Sequence, residues 1–310
     1  MHFTQKIHHA NSPEYLLRFR YYNIAVDHFS WTSERSADVG KTWVAGVHVE
    51  ATRAKRQNAA GQREAIAAKV KAIQQFDYEG NRGALAMMYR ELDPYTADRE
   101  LVPVVHYWRG FAMWRRAING FNETPIPGDL ERDLSAAVNE FDLALQADPN
   151  FVEAMIGEGG TLGYILYLHR DDSKPDNSRM FHAISLLQTA KEIDPNNPRL
   201  LWVAGPSYWV RPVEKGGGED KAFEAYQRGL VSARQRRAQT VDPLQPSWGE
   251  AELLMSLAWS NLHRKQPDLT AANQFARQAL TQVPNWHYVR DILLPQIQKS
   301  REEEAKARPQ

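Results

Sequence analysis

The stretch Ala137–Asn150, AVNEFDLALQADPN, decides how this chain is read. Ala137, Phe141 and Ala144 stand at offsets 0, +4 and +7, which puts them on one stripe of an α-helix. The two alanines leave room for another helix to come close. Pro149, at +12, stops the helix and biases Asp148 away from helical backbone. The same four offsets return at Ala183, Leu187, Ala190 and Pro195, and again at Ala272, Ala276, Ala279 and Pro284. Ala222, Tyr226 and Gly229 form a partial copy without the proline. Recurrence of this kind marks stacked helical units, each burying its apolar face on its neighbours.

Further from the opening stretch, Asp148-Pro149-Asn150 and Asp194-Pro195-Asn196 end one helix and restart the next, with Leu92-Asp93-Pro94 and Val241-Asp242-Pro243 as weaker echoes. Gly159 follows Pro149 by ten residues and Gly205 follows Pro195 by ten, with Tyr208 three further on. A glycine at one fixed place in the following helix predicts close helix–helix contact. From Ala144 to Ala190 to Gly229 to Ala279 the steps are 46, 39 and 50 residues, so each unit carries an insertion. The turn-rich segments Gly120–Gly128, Arg170–Ser178 and Arg211–Asp220 supply the Pro, Gly, Asn and Asp that loops need.

These positions resemble the tetratricopeptide (TPR) family, whose repeat of about 34 residues pairs a first helix carrying Gly and Tyr with a second carrying Ala, an aromatic, Ala and a closing Pro. The resemblance covers roughly residues 80–290. The run Gly216–Ala222 is also similar to a short element of the TatT-type periplasmic TPR proteins associated with TRAP transporters. The resemblance implies an all-α fold: a right-handed α-solenoid of four or five hairpins, with loop insertions and helical caps. Residues 1–80 are expected to form an N-terminal helical cap, 81–290 the repeats, and 291–310 a closing helix end and charged tail. Within the cap, Ser12–Phe29 reads as a helix with an aromatic stripe and Gln62–Phe76 as an amphipathic helix. Trp43–Glu50 alternates in a way that suits a short strand or an extended segment. Tyr288–Lys299 reads as a closing helix broken or kinked at Pro295, and Arg301–Gln310 as a solvated tail.

Composition removes several classes of function. Thirty-eight basic residues balance thirty-eight acidic ones, so no net field draws the chain to nucleic acid or anionic lipid. Without Cys there is no disulfide, thiolate nucleophile or Cys-ligated metal. Gly160–Leu168 and Leu200–Val210, the longest apolar runs, fall short of the ~20 residues of a membrane span. Met1–Lys6 does not begin a signal peptide, so the chain reads as cytoplasmic as it stands, or exported if a leader preceded it. Ten histidines form no ligand motif, Gly157–Gly163 lacks the Lys-Ser/Thr of a P-loop, and no nucleophile–base set is legible; no metal, cofactor or catalytic residue is assigned.

In the family the first helix of each hairpin lines a concave groove. Setting Gly159 and Gly205 on the family's glycine implies that Glu153, Ile156, Gly157, Gly160, Gly163 and Tyr164 line one hairpin, and Arg199, Trp202, Val203, Pro206, Trp209 and Val210 the next. Of these, Glu153, Ile156, Tyr164, Arg199, Trp202 and Trp209 are the candidate binding residues. The aromatics have a second reading, as core packed against the second helices, and Tyr107, Phe111 and Trp114 share that ambiguity. Glu158, in an apolar helix, either pairs with an Arg across a helix interface or meets a ligand. Two functions follow: a scaffold that holds a protein or peptide segment in the groove, with oligomers allowed, or a small-molecule or transport-associated binder with an aromatic pocket for an apolar ligand. An unrecognised enzyme is the third and weakest reading.

Overall fold

In the computed structural model, residues 2–9, 12–25, 28–52, 59–123, 126–174, 176–237 and 242–307 are described. They form two units, residues 1–61 and 62–310. The first is a four-stranded antiparallel meander in the order β1 (His2–His9), β2 (Ser12–Tyr22), β3 (His28–Ser36), β4 (Val44–Thr52). The alternating stretch at Trp43–Glu50 is thus a strand. The helix expected over Ser12–Phe29 is not formed: Leu17, Phe19 and Tyr21 alternate with Leu16, Arg18 and Arg20, a period of two that sheet pleating satisfies and a helix does not. Cross-strand pairs follow from that register. Arg18 lies opposite Glu34 and donates to it at 2.7 Å, and Tyr21 faces Trp31, which faces Val49. The β3–β4 turn is organised by Asp38, whose carboxylate accepts from both the hydroxyl and the amide of Thr42 and from Ser36; these bonds hold its pKa at about 2.

The N-terminal cap of residues 1–80 is therefore corrected to a sheet followed by a first helix of the array. That helix, α1 (Ala59–Tyr78), is followed by α2 (Arg82–Glu91), α3 (Val102–Phe121), α4 (Pro127–Ala147), α5 (Val152–Leu168), α6 (Asn177–Ile193), α7 (Pro198–Val210), α8 (Glu219–Arg237), α9 (Glu250–His263), α10 (Leu269–Gln282) and α11 (Leu294–Ala307). From α3 to α10 they stack as antiparallel hairpins α3–α4, α5–α6, α7–α8 and α9–α10. The prolines work as the sequence predicts. α4, α6 and α10 stop one residue before Asp148, Asp194 and Val283, and each of these, directly ahead of a proline, takes φ near −140 to −131° and ψ near 79 to 94°. The irregularity expected at Pro295 is a π-helical turn, Tyr288–Leu293, leading into α11. The charged tail continues as exposed helix to Lys306, and 308–310 lie outside the described residues.

One contact repeats from hairpin to hairpin. A Cβ placed on Gly110, Gly159 or Gly205 would lie 2.9, 2.8 or 2.1 Å from the side chain of Phe141, Leu187 or Tyr226, in each case the +4 residue of the second helix. Glycine is the residue that lets the two axes approach this far. The stripe alanines Ala137, Ala144, Ala183, Ala190, Ala272, Ala276 and Ala279 are all buried. Successive first helices α3, α5, α7 and α9 touch one another while α4, α6, α8 and α10 barely do, so the first helices line the inside of the curve. At α6 the array is loosened: α6 meets α7 little, and Phe181 and Ile184 remain exposed.

Candidate functional site

The inner face is aromatic, as the sequence implies, but it is filled. Its first layer comes from α3, where Tyr107, Trp108, Phe111 and Trp114 are almost fully buried. Residues at i, i+4 and i+7 make one stripe, and Trp108 adds a second ridge beside it. Above this stripe runs the α8–α9 connection. From Asp242 to Trp248, DPLQPSW, it is non-helical and alternates: Leu244, Pro246 and Trp248 point in, whereas Pro243, Gln245 and Ser247 are exposed.

This strap is read like a bound peptide. The Trp108 indole N–H donates to the Leu244 carbonyl at 2.8 Å, and Arg199 Nη1 donates to the Trp248 carbonyl at 2.9 Å. The Trp248 indole N–H reaches the Tyr107 hydroxyl at 2.8 Å. Its ring lies 5.3 Å from Phe111, 6.0 Å from Trp114 and 5.5 Å from Trp202, the last perpendicular, so four rings meet at steep angles. Trp202 completes the set with a bond to the Ser256 hydroxyl at 3.1 Å.

Beside the strap a cleft of about 670 Å³ remains open. Its floor is the strap itself, Gln245 to Gly249, and its walls are Glu153 and Arg199 on one side and Arg236, Arg237, Glu250 and Gln282 on the others. Glu153 accepts two bonds from Arg199, Nε at 2.5 Å and Nη2 at 2.6 Å. Burial would depress the Arg199 pKa, but the Glu153 charge and hydrogen bonds outweigh it and raise the value. Arg236 forms a two-pronged pair with Asp194 at 2.7 Å, and Arg234 and Arg237 share Glu250 at 3.0 and 3.2 Å. Two guanidiniums on one carboxylate leave the rim with a surplus positive charge.

At the other end of the inner face the aromatics are half open. Tyr164 packs on Phe121 at 5.4 Å between α5 and α3, and Trp209 packs edge-on to Trp259 at 5.1 Å between α7 and α9. Desolvation raises the Tyr164 pKa, and the half-buried Tyr288 near it is pushed up to about 12. Deeper in the array, Arg115 on α3 donates to Asp77 at 2.7 Å with Glu252 of α9 at 3.9 Å, while Asn119 also donates to Asp77 and the Tyr78 hydroxyl to Glu252. Tyr78 also packs on Trp286 at 5.0 Å. The first helix of the array is thereby joined to its last hairpin.

The six candidate residues thus fall into three places. Glu153 and Arg199 are brought together in the cleft wall; Ile156 and Trp202 are buried, at 1% and 8% exposure; Tyr164 and Trp209 keep an open edge. Glu158 pairs across a helix interface, but with His182 at 2.8 Å and not with the Arg expected; burial raises its pKa, against the His182 bond. Sequence reasoning does not bring the strap into the site, although the alternation of Leu244, Pro246 and Trp248 is there to be read. Among the described residues no three His, Asp or Glu side chains converge as a metal site, and no helix is long and apolar enough to cross a membrane.

No family model and no curated protein matches the chain. Several solved structures are similar to it, two of them as follows. One is the HusA haemophore from Porphyromonas gingivalis, at 18% identity and a TM-score of 0.52, covering 67% of this chain and 94% of that one. The other is a thermophilic TPR protein of Thermus thermophilus, at 16% identity and a TM-score of 0.48, covering 74% and 97%. Fold and repeat together define a divergent TPR-like helical-repeat protein.

Proposed function

We propose that the helical unit is a binding module that holds an extended segment of a partner protein along its inner face, in the cleft beside the strap. The observation behind this reading is the make-up of the cleft. Its size falls within the usual range for small-ligand and short-peptide sites, and guanidinium, carboxamide and apolar groups stand side by side on its walls. Arg236, Arg237, Gln245 and Gln282 offer donors suited to main-chain carbonyls and carboxylates, while Tyr78, Ala251 and Val283 offer apolar contact. Selection of binders from a random dodecapeptide library on the immobilised chain tests it. Enriched sequences should lose affinity when Arg237→Glu and Gln282→Ala are introduced; enrichment of nothing, or binding indifferent to both changes, would refute the reading.

A second reading, a binder of a flat apolar small molecule, has its own observation in the half-open rings of Tyr164 and Trp209 with Phe121 and Trp259. The similar fold that is named a haemophore makes haemin a reasonable probe. Titration should shift the haemin absorption band and quench tryptophan fluorescence, less so in Trp209→Ala; an unchanged spectrum would dispose of this reading.

A further inference from the structure

We infer that the groove beneath the strap is itself a recognition site for an extended segment of the form Leu-x-Pro-x-Trp, filled in cis by residues 242–248, and that a partner segment of that chemistry takes the place of the strap. The inference rests on the peptide-binding reading above and names a partner class for the neighbouring part of the same face.

The strap is held as a ligand is held. An ordinary inter-helix loop lies on the surface, where water satisfies its backbone. This one is inserted between α3 and α7, and side chains from two separate hairpins hydrogen-bond its carbonyls: Trp108 reads Leu244, and Arg199 reads Trp248. Recognition of an extended chain uses these same elements, main-chain bonds for affinity and pockets for alternate side chains. Both are present. Leu244 and Trp248, four residues apart, occupy the pockets at 1% and 5% exposure, and Pro246 between them is buried while Gln245 and Ser247 face the cleft. Pro243 sits in a turn closed by the Gln245 N–H on the Asp242 carbonyl at 3.1 Å, and Pro246 pre-sets the extended backbone that follows, so both lower the ordering cost of binding.

The Trp248 ring is the anchor, because its pocket unites three rings from α3 and α7 and its N–H has a dedicated partner in Tyr107. A segment without an aromatic at that place would leave the Tyr107 hydroxyl and the ring pocket unfilled. While the strap is seated, the apparent affinity for a segment in trans is reduced by the fraction of time the groove is free.

The test uses the whole chain with Trp248→Ala and the synthetic peptide DPLQPSWG, the sequence of residues 242–249, carrying a fluorophore. The expected result is saturable binding to the variant, about tenfold or more tighter than to the unaltered chain, and none with the Trp-to-Ala peptide. A folded variant that leaves the peptide unbound at millimolar concentration overturns the proposal. Should the variant not fold, hydrogen exchange of the unaltered chain decides: the Trp108 and Trp248 indole N–H protons, bonded to the Leu244 carbonyl and the Tyr107 hydroxyl, exchanging by local opening ahead of the α3 and α7 amides support a displaceable strap, and exchange only with global unfolding overturns it. The Arg237→Glu and Gln282→Ala variants alter the cleft and not the Trp248 pocket, so failure of cleft binding and failure of strap exchange are separate results.

Discussion

Trp202 and Trp248 meet at right angles with ring centroids 5.5 Å apart, and this contact makes the inner face of the array a core. Seven residues on, Trp209 carries the same side chain on the same helix but keeps an open edge. The pair therefore separates packing from exposure. Trp202→Ala empties a site walled by Trp114, Trp248 and the Ser256 hydroxyl, and is expected to cost about 3–5 kcal/mol. Trp209→Ala, beside Trp259, should cost well under half of that. Chemical denaturation of both variants measures the difference; equal losses would contradict the layering described.

Two glycines of the inner helices make a second contrast. A Cβ on Gly205 would sit 2.1–2.3 Å from the Tyr226 ring and hydroxyl, whereas one on Gly163 meets nothing within 4 Å. Gly205→Ala forces α7 and α8 apart or turns Tyr226 out of place, at an expected cost of about 1–3 kcal/mol. Gly163→Ala, exposed and helical, should stabilise by about 0.5–1 kcal/mol. Melting temperatures moving in opposite directions are the expected outcome.

The buried Asp77–Arg115 pair joins α1 to α3, and both side chains are nearly inaccessible. Asp77→Ala leaves the guanidinium facing Glu252 at 3.9 Å as its remaining counter-charge, and should cost about 3–5 kcal/mol. Asp77→Leu with Arg115→Met removes both charges and should cost less than the sum of the single changes. A double-mutant cycle reads the coupling, and strict additivity would show that the pair does not act as a unit.

Whatever depends on local spacing is legible in the sequence. Ala137, Phe141, Ala144 and Pro149 state a helical face and its end within thirteen residues, and the glycine rule linking Gly159 and Gly205 to the second helices needs only a constant offset. The sheet escapes a reading that weighs the aromatic stripe of Ser12–Phe29 above its period of two, which Arg18 and Arg20 mark plainly. The site is half legible for a different reason. Position on an inner helix puts a residue on the groove side, yet exposure there depends on what lies above it, and Trp248 comes from a connection 46 residues beyond Trp202. Neither helical period nor family alignment carries that long-range fact. The same holds for Glu153 and Arg199, which the groove alignment names singly and the fold makes each other's partners.

Glu140 on α4 is almost inaccessible and accepts from Tyr89 at 3.0 Å, His106 at 2.6 Å and Arg109 at 2.9 Å. Burial pushes its pKa up, but the His106 and Arg109 bonds and the Arg109 charge overcome it, and the net shift is downward. A carboxylate whose folded pKa is depressed lends stability that is fully present above its unfolded value, about 4.3, and is lost as pH falls through the folded value. Glu140→Gln keeps the volume and leaves the buried Arg109 with only the exposed Asp93, at 3.1 Å, as counter-charge, at a cost of about 3 kcal/mol near pH 7. The gap to the unaltered chain should stay constant down to about pH 5 and then close as Glu140 itself takes up a proton. Urea midpoints of the two proteins between about pH 7 and pH 3 measure it, and a gap that widened with acid would mean that burial, not the three donors, governs this carboxylate.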